Sequence, residues 1–316
     1  MAVPGSGAID LKDLQDEFGG SNPISISEYY RNGGLVPSNN TNVPTSGTVA
    51  LSDFYGAVNE IGVTASAAAS ANLKTLFDNA SAGSWASAVP KVYTINSGTT
   101  MGILTAPASM GGTLALNNSG NIRGEGGNSS GEAGGTAMTV QSTGITINML
   151  SGSTLSGGAG AGGAGGAGGA GNYVTWNGQQ ICNGCSIVFS VACSCCCNGC
   201  SNEGNPGNIN KCGSNNATSG GAGGSFGNGI GYSQSQSNGG SGSTGGTSAG
   251  TGGAGGNGGS SYASAGSNGS TGANGNAGNG AGGATGGAAG RAVTFSGVSA
   301  YTILGTNSGT IHGAYT

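Results

Sequence analysis

Short apolar sets alternate with glycine and proline over the first sixty residues, a pattern that predicts several very short helices. Over 9–18 the apolar residues share one helical face and the acidic residues the other. The apolar set is Ile9, Leu11, Leu14 and Phe18. Gly19 ends this helix, and Ser25 is a suitable N-cap for a second one that stops at Gly33. With a third helical turn at 52–56, residues 1–61 are predicted to form a small helical N-terminal module.

Farther along the chain, apolar and polar positions alternate strictly. Such short segments, separated by turns rich in Asn, Ser and Gly, predict strands. They lie at 91–95, 113–116, 137–140 and 145–147. Before them, the alanine-rich stretch 65–80 predicts a helix or helical linker. Residues 62–156 are therefore expected to combine a helical linker with short strands in a β-layer or β-solenoid.

Between positions 157 and 290 the period of the pattern becomes three. From 161 to 171, alanine stands at every third position and glycine at all the others. This period fits neither an α-helix nor a strand, but it fits a polyproline II helix, which makes no internal hydrogen bonds. Because two of three faces lack side chains, neighbouring segments can approach and bond backbone to backbone. Residues 157–290 are predicted to form a bundle of polyglycine II helices, and the alternative is a flexible linker. Strands in 291–316 are expected to return to the base of this bundle.

Composition agrees with a chain that is mostly irregular and β, and it argues against several functions. The 316 residues include 73 glycines but only 7 prolines, which disfavours collagen. Charged residues make up 6%, the net charge is -4 and basic runs are absent, which argues against nucleic-acid binding. No apolar run approaches the roughly 18 residues of a membrane span. The first residues, Met1 to Gly5, lack the features of a signal peptide, so synthesis in the cytoplasm without export is expected.

All eight cysteines lie in an insert predicted at 172–216. They are Cys182, Cys185, Cys193, Cys195, Cys196, Cys197, Cys200 and Cys212. Two Cys-x-x-Cys pairs have the spacing of zinc sites. The density and even number of cysteines are instead typical of a disulfide-stapled loop, and free thiols are a third interpretation. We favour disulfides of unknown pairing, and therefore predict neither a metal site nor a cofactor.

The sequence contains no group of residues with the makeup of a catalytic site. The one histidine is His312, carboxylates are few outside the N-terminal module, and no nucleophile lies near a base. The Gly-x-Gly patterns do not follow a strand and open a helix, so they are not phosphate-binding loops. We therefore predict that the protein is not an enzyme.

A series of short motifs runs from Ile9 to Gly56. They are Glu17-Phe18-Gly19-Gly20, Pro23-Ile24-Ser25-Ile26-Ser27-Glu28-Tyr29-Tyr30, Val36-Pro37, Val43-Pro44-Thr45-Ser46-Gly47 and Leu51-Ser52-Asp53-Phe54-Tyr55-Gly56. This stretch resembles a module found in tail and fibre proteins of tailed bacteriophages. The glycine-rich remainder resembles the distal tail-fibre adhesins of T-even-like phages, whose tips are sandwiches of polyglycine II helices. Unlike those adhesins, this chain carries the N-terminal module and the cysteine-rich insert.

The resemblance implies a virion protein of a phage tail, made in the host cytoplasm. Its N-terminal module is expected to bind other tail proteins, and loops at the far end of the glycine bundle are expected to bind a host receptor, either a glycan or an outer-surface protein. Aromatic residues at the ends of the glycine runs or between them are the candidate receptor contacts. They are Tyr173, Trp176, Phe226, Tyr232 and Tyr262.

Other functions remain open at this point. The main alternative is a purely structural virion protein whose aromatic residues only cap the bundle. An ice-binding protein and a secreted bacterial adhesin are less favoured, because the non-glycine positions mix Ala, Ser, Asn and Thr and no export signal is recognised. Neither nucleic-acid binding nor membrane insertion is expected, and a homo-oligomer is left open.

Overall fold

The computed structural model describes residues 3–176, 179–182, 192–196, 199–203, 214–298 and 304–314. Its α-helices are α1 (Leu11–Phe18) and α2 (Leu73–Ala80), and 3-10 turns lie at Ile26–Tyr29, Leu51–Phe54 and Ser84–Ala86. Its strands are β1 (Ile61–Thr64), β2 (Ala68–Asn72), β3 (Lys91–Ile95), β4 (Thr100–Ala106), β5 (Leu114–Asn118), β6 (Asn121–Arg123), β7 (Met138–Val140), β8 (Ile145–Met149), β9 (Thr154–Ser156), β10 (Gly171–Trp176), β11 (Gln179–Cys182), β12 (Ala192–Cys196), β13 (Gly199–Glu203), β14 (Ser214–Thr218), β15 (Val293–Phe295), β16 (Leu304–Asn307) and β17 (Thr310–His312).

The chain divides into two units, each made of discontinuous pieces. The first unit comprises Met1–Arg123, Thr136–Ser156 and Ala292–Thr316. The second unit comprises Gly124–Gly135 and Gly157–Arg291. The N-terminal module and the short strands thus belong to one unit, and the glycine-rich runs belong to the other.

Helix α1 ends where the sequence predicts, at Phe18, and begins at Leu11 rather than at Ile9. Asp10 accepts hydrogen bonds from the N–H groups of Lys12 and Asp13, at 2.8 and 3.1 Å, and Gly19 follows the last helical residue. Ser25 caps the second predicted helix, which is a 3-10 turn. The third predicted helical turn is also a 3-10 turn. The short helical module is therefore confirmed, with a single α-helix among its three elements.

The N-terminal module has a hydrophobic core of its own. Leu14 and Phe18 of α1 are buried with Tyr29 and Phe54, which the two 3-10 turns supply. The Tyr29 ring packs against both phenylalanine rings, with centroid distances of 6.4 Å to Phe18 and 6.3 Å to Phe54. These rings form a cluster separate from the core between the sheets, so the two parts of the first unit are stabilised by different sets of apolar residues.

Two parallel sheets make up the rest of the first unit. One has the strand order β1-β3-β5-β8-β16, and the other contains β2, β4, β6, β7, β9, β15 and β17. The chain passes back and forth between the two sheets, so together they form one parallel sheet that curls back on itself. Alternate side chains, such as Tyr93 and Ile95 of β3, are fully buried between the sheets. The predicted β-layer of short strands is confirmed as this curled parallel sheet, and the last three strands pair with β7, β8 and β9.

The prediction of a helix or helical linker over 65–80 is wrong for residues 68–72. Ala68–Asn72 is strand β2, which pairs with β4 from Ala68 opposite Met101 to Asn72 opposite Thr105. Helix propensity favours alanine by at most about 0.7 kcal/mol per residue over other ordinary residues, and the hydrogen-bonded pairing with β4 outweighs this preference. Helix α2 begins only at Leu73, where Asn72 caps it.

In the second sheet, two neighbouring strands are each split into two pieces by a long insertion of the chain. Strand β4 is continuous over seven residues, but its neighbour consists of two pieces, because β6 pairs with the start of β4 and β7 pairs with its end. In the next turn β9 pairs with β6, and β15 pairs with β7. The chain leaves the sheet after Arg123 and after Ser156, and it returns at Ala137 and Ala292. Both pieces of the second unit are therefore inserted at the same strand position.

The second unit is arranged around a central segment, residues 157–170, that is neither helix nor strand. Its backbone groups bond to other glycine-rich segments at every third residue. On one face the donors are Gly163, Gly166 and Gly169, and the acceptors are the carbonyl groups of Ser267, Ser270 and Ala273, at 2.9 Å each. Segments 219–231, 250–259 and 277–290 pair with other faces in the same way. The period of three in the sequence thus reappears as a period of three in the hydrogen bonds.

The close approach of these segments explains why glycine dominates the unit. A Cβ atom added at Gly165 would lie 2.0 Å from the carbonyl oxygen of Gly253, well inside van der Waals contact. None of the glycines described between 157 and 290 has a positive φ, whereas Ser233, Ser248 and Ala263, which lie in turns between the segments, do. The left-handed conformations of this range are therefore confined to turns and do not occur at the glycines. The assignment of the segments as polyglycine II helices stays a prediction.

Candidate functional site at the ends of the central segment

The central segment has a Gly157 end and a Gly171 end, and different turns lie at each. At the Gly157 end, the N–H of Tyr232 donates to the carbonyl of Gly124 at 3.0 Å, and the N–H of Ala263 donates to the carbonyl of Gly157 at 2.9 Å. The turns that carry Tyr232 and Tyr262 therefore both lie at the Gly157 end.

At the Gly171 end, the central segment continues directly into β10. Strand β10 pairs antiparallel with β11 and β14, from Gly171 opposite Thr218 to Thr175 opposite Ser214. The Thr218 hydroxyl donates to the carbonyl of Thr247 at 2.7 Å. This three-stranded sheet is the stem through which the chain enters and leaves the cysteine-rich insert.

Asn276 fastens the start of this stem. Its Oδ1 accepts from the N–H of Asn172 at 2.7 Å, and its Nδ2 donates to the carbonyl of Asn172 at 2.9 Å. The backbone N–H of Asn276 donates to the carbonyl of Ser248 at 3.0 Å. The stem is thereby joined to two separate loops of the second unit.

The five aromatic residues predicted to contact a receptor do not form one cluster. Tyr232 and Tyr262 belong to turns at the Gly157 end, whereas Tyr173 and Trp176 lie in β10 beyond the Gly171 end. Phe226 lies between the ends, because the carbonyl of the next residue accepts from the N–H of Gly162 at 2.8 Å. One surface at the far end of the bundle therefore does not contain all five residues, and their role in binding stays a prediction.

The structure gives the exposure of three of the five aromatic residues. Phe226, Tyr232 and Tyr262 are each half-buried. The side chains of Tyr173 and Trp176 lie outside the described residues.

The second unit contains a carboxylate with a shifted pKa, that of Glu132. The Glu132 carboxylate accepts from the N–H groups of Asn128 and Ser129, at 2.8 and 2.9 Å, and from the Ser129 hydroxyl at 2.8 Å. These hydrogen bonds, that of the Asn128 N–H first, hold the pKa of Glu132 below its usual value. The carboxylate closes its own loop and is occupied in doing so. From Ala133 to Ala289 the sequence adds only Glu203 and Lys211 as charged residues, so the loops around Ser248 and Asn276 at the Gly171 end offer uncharged hydrogen-bonding groups. At the Gly157 end, by contrast, the backbone of Glu125 and of Arg291 lies against the central segment.

The cysteine predictions fall largely outside the described residues. Cys185, Cys197 and Cys212 are not described, and only backbone positions are given for the other five. Cys195 and Cys200 are direct partners in the antiparallel pair of β12 and β13. Within the described ranges, no three or more His, Cys, Asp or Glu residues are grouped in a way that could hold a metal ion. The preference for disulfides stays a prediction.

The membrane-span test and three comparisons with known proteins bear on the predicted class of protein. Among the described helices, none has both the length and the apolar character needed to span a membrane. No family model and no curated protein matches the chain. A solved structure, the gp37-gp38 adhesin tip complex of the bacteriophage S16 long tail fibre, aligns over 100% of both chains with 18% identity and a TM-score of 0.39. A TM-score of this size does not establish a common fold, so the fold described above rests on the contacts of this chain alone.

The residues that fasten the stem were not found from the sequence. Asn276 stands in the cluster Asn274-Gly275-Asn276, which is typical of a turn, but glycine keeps its spacing of three through this cluster, from Gly266 to Gly278. The turn-like composition was the available signal. It does not reveal that the turn lies next to Asn172, because the two residues are far apart in the chain.

Proposed function

We propose that this protein is a tail protein of a tailed bacteriophage and acts as an adhesin at the tip of a tail or tail fibre. Its N-terminal module binds other tail proteins, and its second unit carries the host-binding surface. The resemblance of residues 9–56 to phage tail modules supports the first role. The compact core around Tyr29 supports it as well, because it gives this short module a shape of its own.

The observation that carries the adhesin role is the pairing of the central segment at every third residue. We propose that these segments are polyglycine II helices, since the period of their hydrogen bonds equals the period of that helix. Backbone groups bonded in this way hold the unit together without charge and with few large side chains. Loops at the ends are then free to vary without disturbing the support, as binding loops on a rigid scaffold are.

The Gly171 end is the surface that we assign to the host receptor. It combines two aromatic residues, Tyr173 and Trp176, with loops rich in Asn, Ser and Thr around Ser248 and Asn276. Aromatic rings supply contact area at low cost in conformational entropy, and small polar side chains supply adaptable hydrogen bonds. An uncharged receptor, either a glycan or an outer-surface protein, suits this composition.

Adsorption of assembled particles tests the assignment. Particles carrying Tyr173→Ala together with Trp176→Ala are expected to adsorb to host cells at least about tenfold more slowly, as expected for loss of aromatic contacts in a binding surface. The matched control, Tyr232→Ala with Tyr262→Ala, removes two rings from the other end and leaves adsorption unchanged. If both variants assemble and adsorb normally, the protein is a structural element only. A loss confined to the control variant would move the binding surface to the Gly157 end.

A further inference from the structure

The central segment is covered on more faces at its start than at its end. At the start, segment 124–135 lies along it. The N–H of Gly127 donates to the carbonyl of Ala159 at 2.8 Å, and the N–H of Ala161 donates to the carbonyl of Glu132 at 2.9 Å. The Ser130 hydroxyl accepts from the N–H of Ala164 at 2.8 Å. Segment 124–135 turns back at 129–131, so its cover ends at Ala164.

Beyond Ala164 the same side of the central segment is open. Among the described residues, none accepts from the N–H of Ala167 or Ala170, and no N–H group donates to the carbonyl of Gly165 or Gly168. Both alanines are exposed. The remaining faces stay paired at this level, since the N–H of Gly168 donates to the carbonyl of Gly221 at 2.8 Å. We call these four backbone groups the open face.

We propose that the open face docks an extended peptide of a partner protein. Its carbonyl and N–H groups each recur at every third residue, as do the groups of this side that segment 124–135 bonds, and another extended chain offers donors and acceptors to match both kinds. Segment 124–135 shows what fits, because it bonds to the groups of the same side at Ala159, Ala161 and Ala164. The partner peptide continues the position that this segment vacates.

The chemistry of the open face favours a peptide over other ligands. The exposed side chains here are the methyl groups of Ala167 and Ala170, which offer neither a charge for an anion nor a ring on which a sugar could stack. Main-chain hydrogen bonds supply affinity when an extended peptide adds to an unpaired edge. The peptide needs glycine where it meets the central segment, because elsewhere in this unit a Cβ at such a contact would lie about 2 Å from a carbonyl oxygen, as at Gly165.

A synthetic peptide with the sequence of residues 124–135 is the probe, titrated against the full chain by calorimetry. We expect saturable binding. Ala167→Pro removes one N–H of the open face, while proline fits an extended backbone, and this variant is expected to bind at least about tenfold more weakly, in line with the loss of a hydrogen-bonded anchor. Ala167→Ser keeps the N–H and is expected to bind as the parent does. Thermal unfolding of both variants checks that the unit is intact.

Two results would overturn the proposal. One is the absence of saturable binding, or equal binding by the Ala167→Pro variant. The other is self-association of the full chain that Ala167→Pro abolishes, which would make the open face a contact between copies of this protein. The assay does not involve host cells, so its failure leaves the adhesin role standing, and normal binding does not rescue that role if adsorption is unaffected by the aromatic substitutions.

Discussion

Asn276 bonds to Asn172 through both ends of its side-chain amide: its Oδ1 accepts from the Asn172 N–H at 2.7 Å, and its Nδ2 donates to the Asn172 carbonyl at 2.9 Å. Asn172 is the second residue of β10 and lies opposite Ala217 of β14. A single side chain from a distant loop therefore satisfies both backbone groups of Asn172. The stem of the cysteine-rich insert is held at its base by this contact.

Replacing Asn276 is expected to loosen the stem without unfolding the second unit. In Asn276→Ala both hydrogen bonds are lost, at a cost of about 1 kcal/mol for an exposed pair, so amide hydrogen exchange at Asn172 is expected to be about fivefold faster. Asn276→Asp keeps the acceptor but loses the donor and is expected to have an intermediate effect. Asn279→Ala changes an exposed asparagine in the same loop and serves as the control. Equal exchange rates in all four proteins would show that the two hydrogen bonds between Asn276 and Asn172 contribute nothing to the stability of the stem.

Two adjacent glycines test the packing of the second unit. A Cβ at Gly283 would lie 2.1 Å from the carbonyl oxygen of Gly269, whereas a Cβ at Gly282 would meet nothing within 4 Å. Gly283→Ala is therefore expected to destabilise the unit by about 1–3 kcal/mol through overpacking. Gly282→Ala is expected to be neutral, or to stabilise by up to about 1 kcal/mol because the unfolded chain loses freedom.

The measurement is the thermal unfolding midpoint of the full chain, together with hydrogen exchange in the second unit. Only the alanine at position 283 should lower the midpoint. If the two alanine variants behave alike, the contact between the segments that carry Gly269 and Gly283 is not as close as described.

Local patterns predicted local structure, and they failed where distant parts of the chain decide. The spacing of Leu14 and Phe18 predicted α1, and the period of three in residues 161–171 predicted segments that bond to one another. The alanine-rich stretch before Leu73 reads as helix in isolation, but pairing with β4 makes it a strand. No local signal in the sequence indicates that other segments run along the central segment in both directions.

The direction in which each segment runs also explains why the aromatic residues do not share one surface. The prediction placed Tyr173 and Tyr232 on one surface because both border glycine runs. Their positions depend on the direction in which each segment is laid down. Segment 219–231 runs antiparallel to the central segment, since Gly162, Gly165 and Gly168 bond to Gly227, Gly224 and Gly221 in reverse order. A turn that follows this segment therefore lies at the Gly157 end.

The buried tyrosine of the first unit gives a prediction about alkaline pH. Tyr93 is fully buried and its ring lies 6.4 Å from that of Phe77. Burial raises its pKa from 10.0 to about 12. Because the folded-state pKa is above the unfolded value, this group's contribution to stability is complete below pH 10 and is lost as the pH rises from 10 towards 12. The loss approaches about 2–3 kcal/mol at the end of that range.

Urea unfolding of the parent and of Tyr93→Phe at pH 9 and pH 11 measures this effect. The unfolding free energy of the parent, relative to that of Tyr93→Phe, is expected to fall as the pH rises from 9 to 11. Burial lowers the pKa of Lys91, which acts with the opposite sign, because stability then increases as the pH rises through the lowered pKa towards 10.5. Both proteins retain Lys91, so the comparison isolates the tyrosine. A difference that does not change with pH would contradict a buried, neutral Tyr93.

The interrupted strand position predicts that the first unit folds without the second. The start of β4, Thr100 and Met101, lies opposite Asn121 and Ile122, and its end, Leu104 to Ala106, lies opposite Met138 to Val140. Two residues of β4, Gly102 and Ile103, remain between these pairs. Arg123 and Ala137 are the two residues that match them when the insertion is removed.

The number of residues also matches in the next turn of the chain, where Ser156 lies opposite Arg123 and Val293 lies opposite Met138. A chain lacking 124–136 and 157–291, with Arg123 joined to Ala137 and Ser156 joined to Ala292, therefore has two uninterrupted strands in register with β4. Ala137 and Ala292 are fully buried, so the joins also keep the core intact.

This shortened chain is expected to be soluble and monodisperse, and to unfold in one cooperative transition with circular dichroism typical of β-structure. The matched control carries one extra glycine at each join, so each strand has one residue more than β4 has opposite it. Strand β4 buries Met101 and Leu104, which are three positions apart, and the first shortened chain likewise places the buried Ile122 and Met138 three positions apart. The control is expected to be destabilised by about 1–3 kcal/mol, because the residues after each join would lose their register with β4 and β7. Equal stability of the two shortened chains would mean that the two halves of the strand are not continuous, and an unfolded first variant alone would mean that the first unit depends on the glycine-rich unit for its fold.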